Sequence, residues 1–272
     1  MIRSFYLYAY GTKVNPRHHS IYTSYLLNTF QTLSVKNITF VMATQIRETP
    51  ENIKERLKAS YDAMASTYNE WTIPHSKQRL EYLEKALEYL GQSTKPEKPA
   101  FLELGCGCGL PITKKLLSYP EAKVIANDLS ETQIALAREN LIQGPEDGVA
   151  QRLELIQGDM NGLEFPDGSL DLVVGFYSII HLPRSEQTTL LGRIAKWLKP
   201  GGYFVANFSK EENESAVMEK WLDEDKGWMF WSAWGKEKTL GQMKDAGFDV
   251  VVAETADDVV DDSSFLWVVA KR

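Results

Sequence analysis

The sequence predicts an α/β fold, a Rossmann-like seven-stranded, mostly parallel sheet with helices on both faces and an antiparallel last strand. Three observations carry this. From residue 99 onward, short apolar segments alternate with segments of helical period, the pattern that builds a parallel sheet covered on both sides. The first strand candidate, 101–104, runs directly into Gly105-Cys106-Gly107-Cys108-Gly109, three glycines spaced by two that open a helix. The 10-residue connection between the last two strand candidates has no helical period, so those two are expected to run antiparallel.

Each element has its own signal. Thr49-Pro50-Glu51 supplies a capping hydroxyl, a proline for the first helical position and an early acid, predicting a helix over 50–68. Leu80, Leu83, Leu87 and Leu90 recur at helical spacing, and Gly91 sits where a left-handed cap would end that second helix. Residues 92–99 read as a polar linker. Strands are expected over 101–104, 123–127, 153–157, 170–176, 203–208, 249–254 and 265–270. Helices are expected over 110–117, over 130–140 behind a capping box of Ser130 and Gln133, over 185–198 up to Lys199-Pro200-Gly201-Gly202, and over 236–246 closed by Gly247.

The domain organisation follows: 1–48 as an N-terminal extension, 49–98 as a helical lid, and 99–272 as the core, with an aromatic insertion at about 210–235 acting as a cap. The extension holds five Lys and Arg and no acid through residue 47. It reads as poorly ordered or extraneous, with Met42 as an internal start, as an ordered arm, or as a transit peptide.

Composition removes several function classes. With 43% hydrophobic, 25% charged and 11% aromatic residues, the 272-residue chain sits in the ordinary globular range. No window reaches the ~18 consecutive apolar residues that a membrane span needs. Lys and Arg number 30 against 37 Asp and Glu, and the net charge of -7 repels a phosphate backbone, so nucleic acid is not an expected partner. Cys106 and Cys108 are too close for an easy disulfide and too few for a zinc site, which fits a reducing compartment. A cytoplasmic location is expected, with mitochondria the alternative if the leader is a transit peptide. GxSxG, HExxH and GxxxxGK[ST] are all missing, and His18, His19, His75 and His181 show no ligand spacing, so no metal is expected.

The chemistry-bearing positions lie at strand ends. Position 110 is Leu, so the loop reads GxGxG rather than the dinucleotide pattern GxGxxG. Asp128, 23 residues after Gly105, follows the second strand, where a carboxylate accepts from both hydroxyls of a ribose; capping the next helix is its other reading, although Ser130 already fills that place. Asp159 follows the third strand, either as acceptor for the exocyclic amine of a base that Met160 covers, or as a turn aspartate. The fourth strand opens into residues 177–183 at the same sheet edge, so four strand ends converge on one crevice.

Together, Glu103 to Gly109, Asn127 to Ser130, Gly158 to Met160, Asp171 to His181 and Leu198 to Gly202 resemble class I S-adenosylmethionine-dependent methyltransferases of the small-molecule kind, over residues 60–272. The resemblance implies S-adenosyl-L-methionine as cofactor, with Glu103 and Gly105 near its amino-acid part, Asp128 on ribose, and Asp159 with Met160 near adenine. Cys106, Gly107, Leu129 and Tyr177 complete the expected cofactor set. Residues 61–68 resemble a "YDxxAxxY" segment that folds over the cofactor, making Tyr61 and Tyr68 lid residues; their spacing also suits a plain helix face on the sheet.

The implied function is methyl transfer to an O, N or S atom of a small-molecule acceptor. His181 is the candidate general base, or else a substrate-orienting residue. Trp228, Trp231 and Trp234, with Trp221, lie where such proteins place a substrate cap, and also suit plain packing. A nicotinamide-dependent oxidoreductase and a non-catalytic cofactor-binding regulator are the alternatives.

Overall fold

The computed structural model describes residues 44–45, 49–72, 76–94, 96–142, 144, 148–257 and 264–272. The expectations for residues 1–43, with His18 and His19, and for His75 lie outside the described residues.

In chain order the elements are β1 (Thr44–Gln45), α1 (Ile53–Thr72), α2 (Ser76–Ser93), β2 (Ala100–Leu104), α3 (Ile112–Leu117), β3 (Lys123–Asp128), α4 (Glu131–Leu141), β4 (Leu153–Gln157), β5 (Leu170–Gly175), α5 (Arg184–Trp197), β6 (Leu198–Ser209), β7 (Glu212–Glu219), β8 (Trp228–Trp234), α6 (Lys236–Asp245), β9 (Asp249–Asp257) and β10 (Ser264–Lys271). Short 3-10 turns follow β4, β5 and β7.

The main sheet has seven strands in the order β4-β3-β2-β5-β6-β10-β9. β4 to β6 are parallel, and β10 runs antiparallel between β6 and β9, as the missing helix before it predicted. The chain reverses its direction of growth between β2 and β5. That switch opens a crevice beyond the carboxyl ends of the strands. β5 is buried at every position, Asp171 included, which is why its residues show no alternation of buried and exposed positions.

The expected lid over 49–98 divides. Only α1 lies over the crevice. α2 is a core helix: Tyr82, Leu83, Ala86, Leu87 and Leu90 pack with Phe101, Val205 and Trp267, and the Tyr82 ring stacks on fully buried Trp267 at 4.6 Å. An amphipathic leucine stripe states that a helix is half-buried and leaves open what covers it. α5 covers the opposite face through Leu190, Leu191 and Ile194.

Several boundaries move for local reasons. α1 begins at Ile53, because Asn52 is left-handed (φ +57) and its carbonyl takes the Arg56 N–H at 3.0 Å. α2 runs through Gly91 to Ser93, since Thr94 N–H still reaches the Leu90 carbonyl at 3.1 Å; Gly91 is not the cap. Residues 199–202 join β6 instead of forming a loop, with Leu198 paired to Leu170 and Gly201 N–H bonded to the Arg272 carbonyl at 2.9 Å.

The cap insertion is an antiparallel β-hairpin of β7 and β8, extended by β1 into a three-stranded sheet. Its strands escaped detection because five of the seven β8 residues are buried, so neither alternation nor a helical period marks the segment.

Candidate active site

The glycine loop is drawn across the tip of β3, where Gly105 and Cys106 N–H groups both donate to the Asn127 carbonyl at 2.8 and 2.9 Å. Gly105 is left-handed (φ +75), and a Cβ there would lie 2.3 Å from Ser178 Cβ, so only glycine fits. Ser178 locks the approach by donating its hydroxyl to the Leu104 carbonyl at 2.6 Å.

Asp128 ends β3 beside that loop. Its Oδ2 accepts Gly107 N–H and its Oδ1 accepts Ser130 N–H, both at 2.8 Å. An ionised carboxylate has about four acceptor positions, so about two stay available to a ligand. Burial outweighs the two N–H bonds and lifts the Asp128 pKa to about 6. Ser130 caps α4 as expected, accepting Gln133 N–H at 3.1 Å, while the Gln133 side chain pairs with Asn69 of α1 instead of closing the capping box.

Asp159, past β4, is a turn aspartate as one of its sequence readings had it, and it also lines the cavity. It caps a short turn through Asn161 N–H (3.0 Å), and its Oδ2 is held at 2.6 Å by Lys54 Nζ of α1. Lys54 also reaches Glu186 at 2.7 Å. Burial pulls the ammonium pKa down, and the two carboxylates more than restore it.

α1 is fastened over the crevice by further polar contacts. Asp62 accepts from Ser130 Oγ at 2.6 Å and from Thr132 N–H at 3.1 Å at the start of α4, where the helix dipole favours a carboxylate. Tyr61 meets Tyr68 edge to face at 5.2 Å, and its Oη lies 3.0 Å from His181 Nε2. His181 Nδ1 is 2.7 Å from the Phe230 carbonyl, which only accepts. Nδ1 therefore carries the hydrogen and Nε2 accepts from the Tyr61 hydroxyl. Burial lowers the His181 pKa to about 4, against a small opposing effect of the Phe230 bond, so the ring is neutral at pH 7.

These groups surround one cavity. Of the residues singled out from sequence, Tyr61, Tyr68, Gly105, Gly107, Asp128, Leu129, Asp159, Met160, Tyr177 and His181 line it. Glu103 and Cys106 are not among the lining residues. The Glu103 side chain is buried and accepts the Thr113 hydroxyl of α3 at 2.5 Å, because it shares the strand face of Phe101. Cys106 packs beneath the loop with Ala126 and Ile134.

Lys54, Leu57, Gln133 and Ser178 also line the cavity and were missed. For the first two a signal existed, since positions 54, 57, 61 and 68 share one helical stripe.

The three cap tryptophans separate. Trp228 is 5% exposed, packs with Ile53, Leu57 and Met64, and lies under the Arg56 guanidinium at 3.9 Å. Trp234 stacks under Arg184 at 4.8 Å and donates to its carbonyl at 3.1 Å. Only Trp231 approaches the site, its ring 5.9 Å from that of His181.

Residues 101–202 match a family model described as a methyltransferase domain. The chain is 26% identical over 176 residues to sterol 24-C-methyltransferase erg-4 of Neurospora crassa, covering 62% of this chain and 44% of that protein. It is 28% identical over 156 residues to demethylmenaquinone methyltransferase of Lactococcus lactis, covering 56% of this chain and 58% of that one. The chain thus spans about half the length of these curated relatives. Among solved structures, Burkholderia thailandensis 1,6-didemethyltoxoflavin-N1-methyltransferase, with bound 1,6-didemethyltoxoflavin and S-adenosylhomocysteine, superposes with a TM-score of 0.61 at 16% identity over 85% of this chain and 94% of that one. CcbJ methyltransferase of Streptomyces caelestis gives 0.56 at 17% identity over 79% and 98%. These structural likenesses bear on fold. Sheet order and glycine-loop geometry agree with the methyltransferase-domain match over residues 101–202.

Proposed function

We propose that this chain transfers the methyl group of S-adenosylmethionine to an O, N or S atom of a small molecule. The observation that carries this is the single cavity into which Gly105, Gly107, Asp128 and Asp159, from three strand tips, converge with Tyr61 and His181. The residues fit the cofactor. Gly107 is left-handed, and an added Cβ there would meet nothing nearer than Gln133 Oε1 at 3.9 Å, so the bare backbone leaves room for a ligand. Asp128 keeps acceptor positions for ribose hydroxyls, and Leu129 and Met160 supply apolar cover beside Asp159.

S-adenosylmethionine supplies a methyl group already activated by its sulfonium, so the chain contributes placement, exclusion of water and handling of one proton. α1 walls the cavity from solvent. Tyr61 donates to His181 Nε2, which leaves its oxygen to accept a hydrogen bond from an acceptor's O–H or N–H. As that proton moves to Tyr61 Oη, the phenol's own proton moves to Nε2, and the Phe230 carbonyl keeps the ring oriented throughout.

Curated relatives named for sterol, demethylmenaquinone and phosphoethanolamine methylation support a small-molecule acceptor. Titration calorimetry with S-adenosylhomocysteine and with NAD, followed by a turnover panel of phenols, thiols and amines, tests the proposal. Saturable binding of the first and release of S-adenosylhomocysteine with one acceptor class are expected. Binding of NAD alone would overturn it in favour of an oxidoreductase, and cofactor binding without turnover in favour of a regulatory module.

A further inference from the structure

Beyond Tyr61, Tyr68 and His181, the aromatic rings do not stop at the cavity wall. Trp221, at the hairpin tip, lies 6.4 Å from Tyr61, 5.7 Å from Tyr68, 5.4 Å from Trp71 and 6.0 Å from Trp231. All of these rings are half-buried, unlike Trp228 and Phe230 on the same hairpin. Stacked pairs occur elsewhere in the protein, Tyr82 on Trp267 and Tyr89 on Tyr203, with interplanar angles of 11° and 20°. Around Trp221 the angles are 75°, 44°, 73° and 81°, so the rings meet at edges and tilts and none of these pairs lies face to face.

The hairpin tip is built to hold Trp221 there. Lys220, Leu222 and Asp223 are all left-handed (φ +54, +57 and +60), a conformation that non-glycine residues keep only when their surroundings impose it. Trp221 N–H donates to the Gly227 carbonyl at 2.9 Å, and a Cβ on Gly227 would lie 2.3 Å from the Trp221 carbonyl oxygen. Thr67 of α1 donates to Glu224 at 2.6 Å, tying the tip to the lid.

Charge narrows what such a platform takes. Among the described residues lining the cavity, Lys54 is the one cation, and two carboxylates hold it. Nearby Arg56 and Arg184 are paired with Glu219 and Glu212. Asp62 is likewise paired with Lys58.

We propose that Trp221 and Trp231, with Tyr68, form the acceptor platform, and that it selects a planar ring system without an anionic group, whose O–H or N–H meets Tyr61. This rests on the methyltransferase reading above and adds the acceptor's class to it. The test uses the full chain saturated with S-adenosylhomocysteine and calorimetric titration of 2-naphthol, of trans-decahydro-2-naphthol as an apolar non-planar match, and of 2-naphthyl phosphate as an anionic one. 2-Naphthol should bind roughly fivefold or more tightly than either, the range of a ring–ring contact beyond area burial. Trp221→Leu should remove that preference, Trp221→Phe should keep most of it, and Trp234→Phe should leave it unchanged, all three binding S-adenosylhomocysteine like the wild type. Equal affinity for the planar and saturated probes, tighter binding of the phosphate, or an unaltered preference in Trp221→Leu would overturn the platform while leaving the cofactor site intact. Failure of the wild type to bind S-adenosylhomocysteine would overturn the function it rests on, and the platform with it.

Discussion

The Tyr61 hydroxyl donates to His181 Nε2 at 3.0 Å, and the Phe230 carbonyl, 2.7 Å from Nδ1, fixes which nitrogen is free to accept. In the reaction proposed above, the phenol oxygen is the group that meets the acceptor's proton, with the imidazole behind it. Tyr61→Phe should lower kcat by roughly 10²-fold, the lower end of general acid–base effects, for an acceptor that must shed a proton. For a thiol already ionised at the assay pH the loss should be much smaller. Equal losses for both acceptors would show that Tyr61 acts by packing alone. With the His181 pKa near 4, kcat should show no inflection at the ordinary imidazole value of ~6.5.

Asp128 gives the cofactor site its own pH dependence. Its folded pKa is raised from 3.8 to about 6 by burial, and ribose hydroxyls bond better to the carboxylate than to the acid. S-adenosylhomocysteine affinity should be constant above pH 7 and fall by up to about tenfold per unit below 6. Asp128→Asn should bind more weakly by roughly 1.5 to 3 kcal/mol at pH 7.5 and show no such fall. Calorimetric titration from pH 5 to 8 checks both; a pH-dependent variant would remove Asp128 from the ribose position.

The parts of this architecture that local chemistry dictates were legible. β5 declares itself by an apolar run interrupted only by Asp171, the loop by glycines that are left-handed, and Asp128 and Asp159 by their places at or just past the end of a strand. What escaped depends on which surfaces meet. Lys54 is an ordinary helix lysine until α1 lies across Asp159 and Glu186. Leu83 and Leu87 mark a buried stripe, and only the fold shows that Trp267 and Phe101 cover it rather than a ligand. Glu103 was expected near the cofactor by resemblance, and the two-residue period of β2 sets it on the Phe101 face, where it is buried against Thr113.

Lys54 joins α1 to Asp159 past β4 and Glu186 of α5 through partly exposed ion pairs, which contribute little to stability and are weakened by salt. Lys54→Met should change unfolding free energy by less than about 1 kcal/mol. It should speed S-adenosylhomocysteine release several-fold, because the pair holds the lid down over the cavity. Added salt should accelerate release from the wild type and not from the variant in stopped-flow displacement. Identical salt dependence in the two proteins would show that the pair does not restrain α1.

Leu87 separates the core role of α2 from a lid role. It is 2% exposed and packs in the cluster that includes Phe101 and Trp267, so Leu87→Ala should cost roughly 2 to 5 kcal/mol through lost burial and a residual cavity. S-adenosylhomocysteine affinity of the folded fraction should be unchanged. A near-neutral urea midpoint, or a variant of wild-type stability that binds weakly, would return α2 to the lid.

Glu103 should make the protein less stable as pH rises. Burial lifts its pKa from 4.5 to about 8, with the Thr113 bond and the Arg79 charge opposing less strongly, so the native state holds a proton that the unfolded chain releases near 4.5. The stabilisation is fully present below pH 4.5 and is lost as pH rises through 8. At about 1.36 kcal/mol per unit, the swing is on the order of 3 to 5 kcal/mol. Glu103→Gln keeps an acceptor for Thr113 and does not ionise, so its urea midpoint should fall much less between pH 5 and 8.5 than that of the wild type. Parallel declines in the two proteins would mean that Glu103 ionises at an ordinary carboxylate pH, and that the space between β2 and α3 is wetter than its burial indicates.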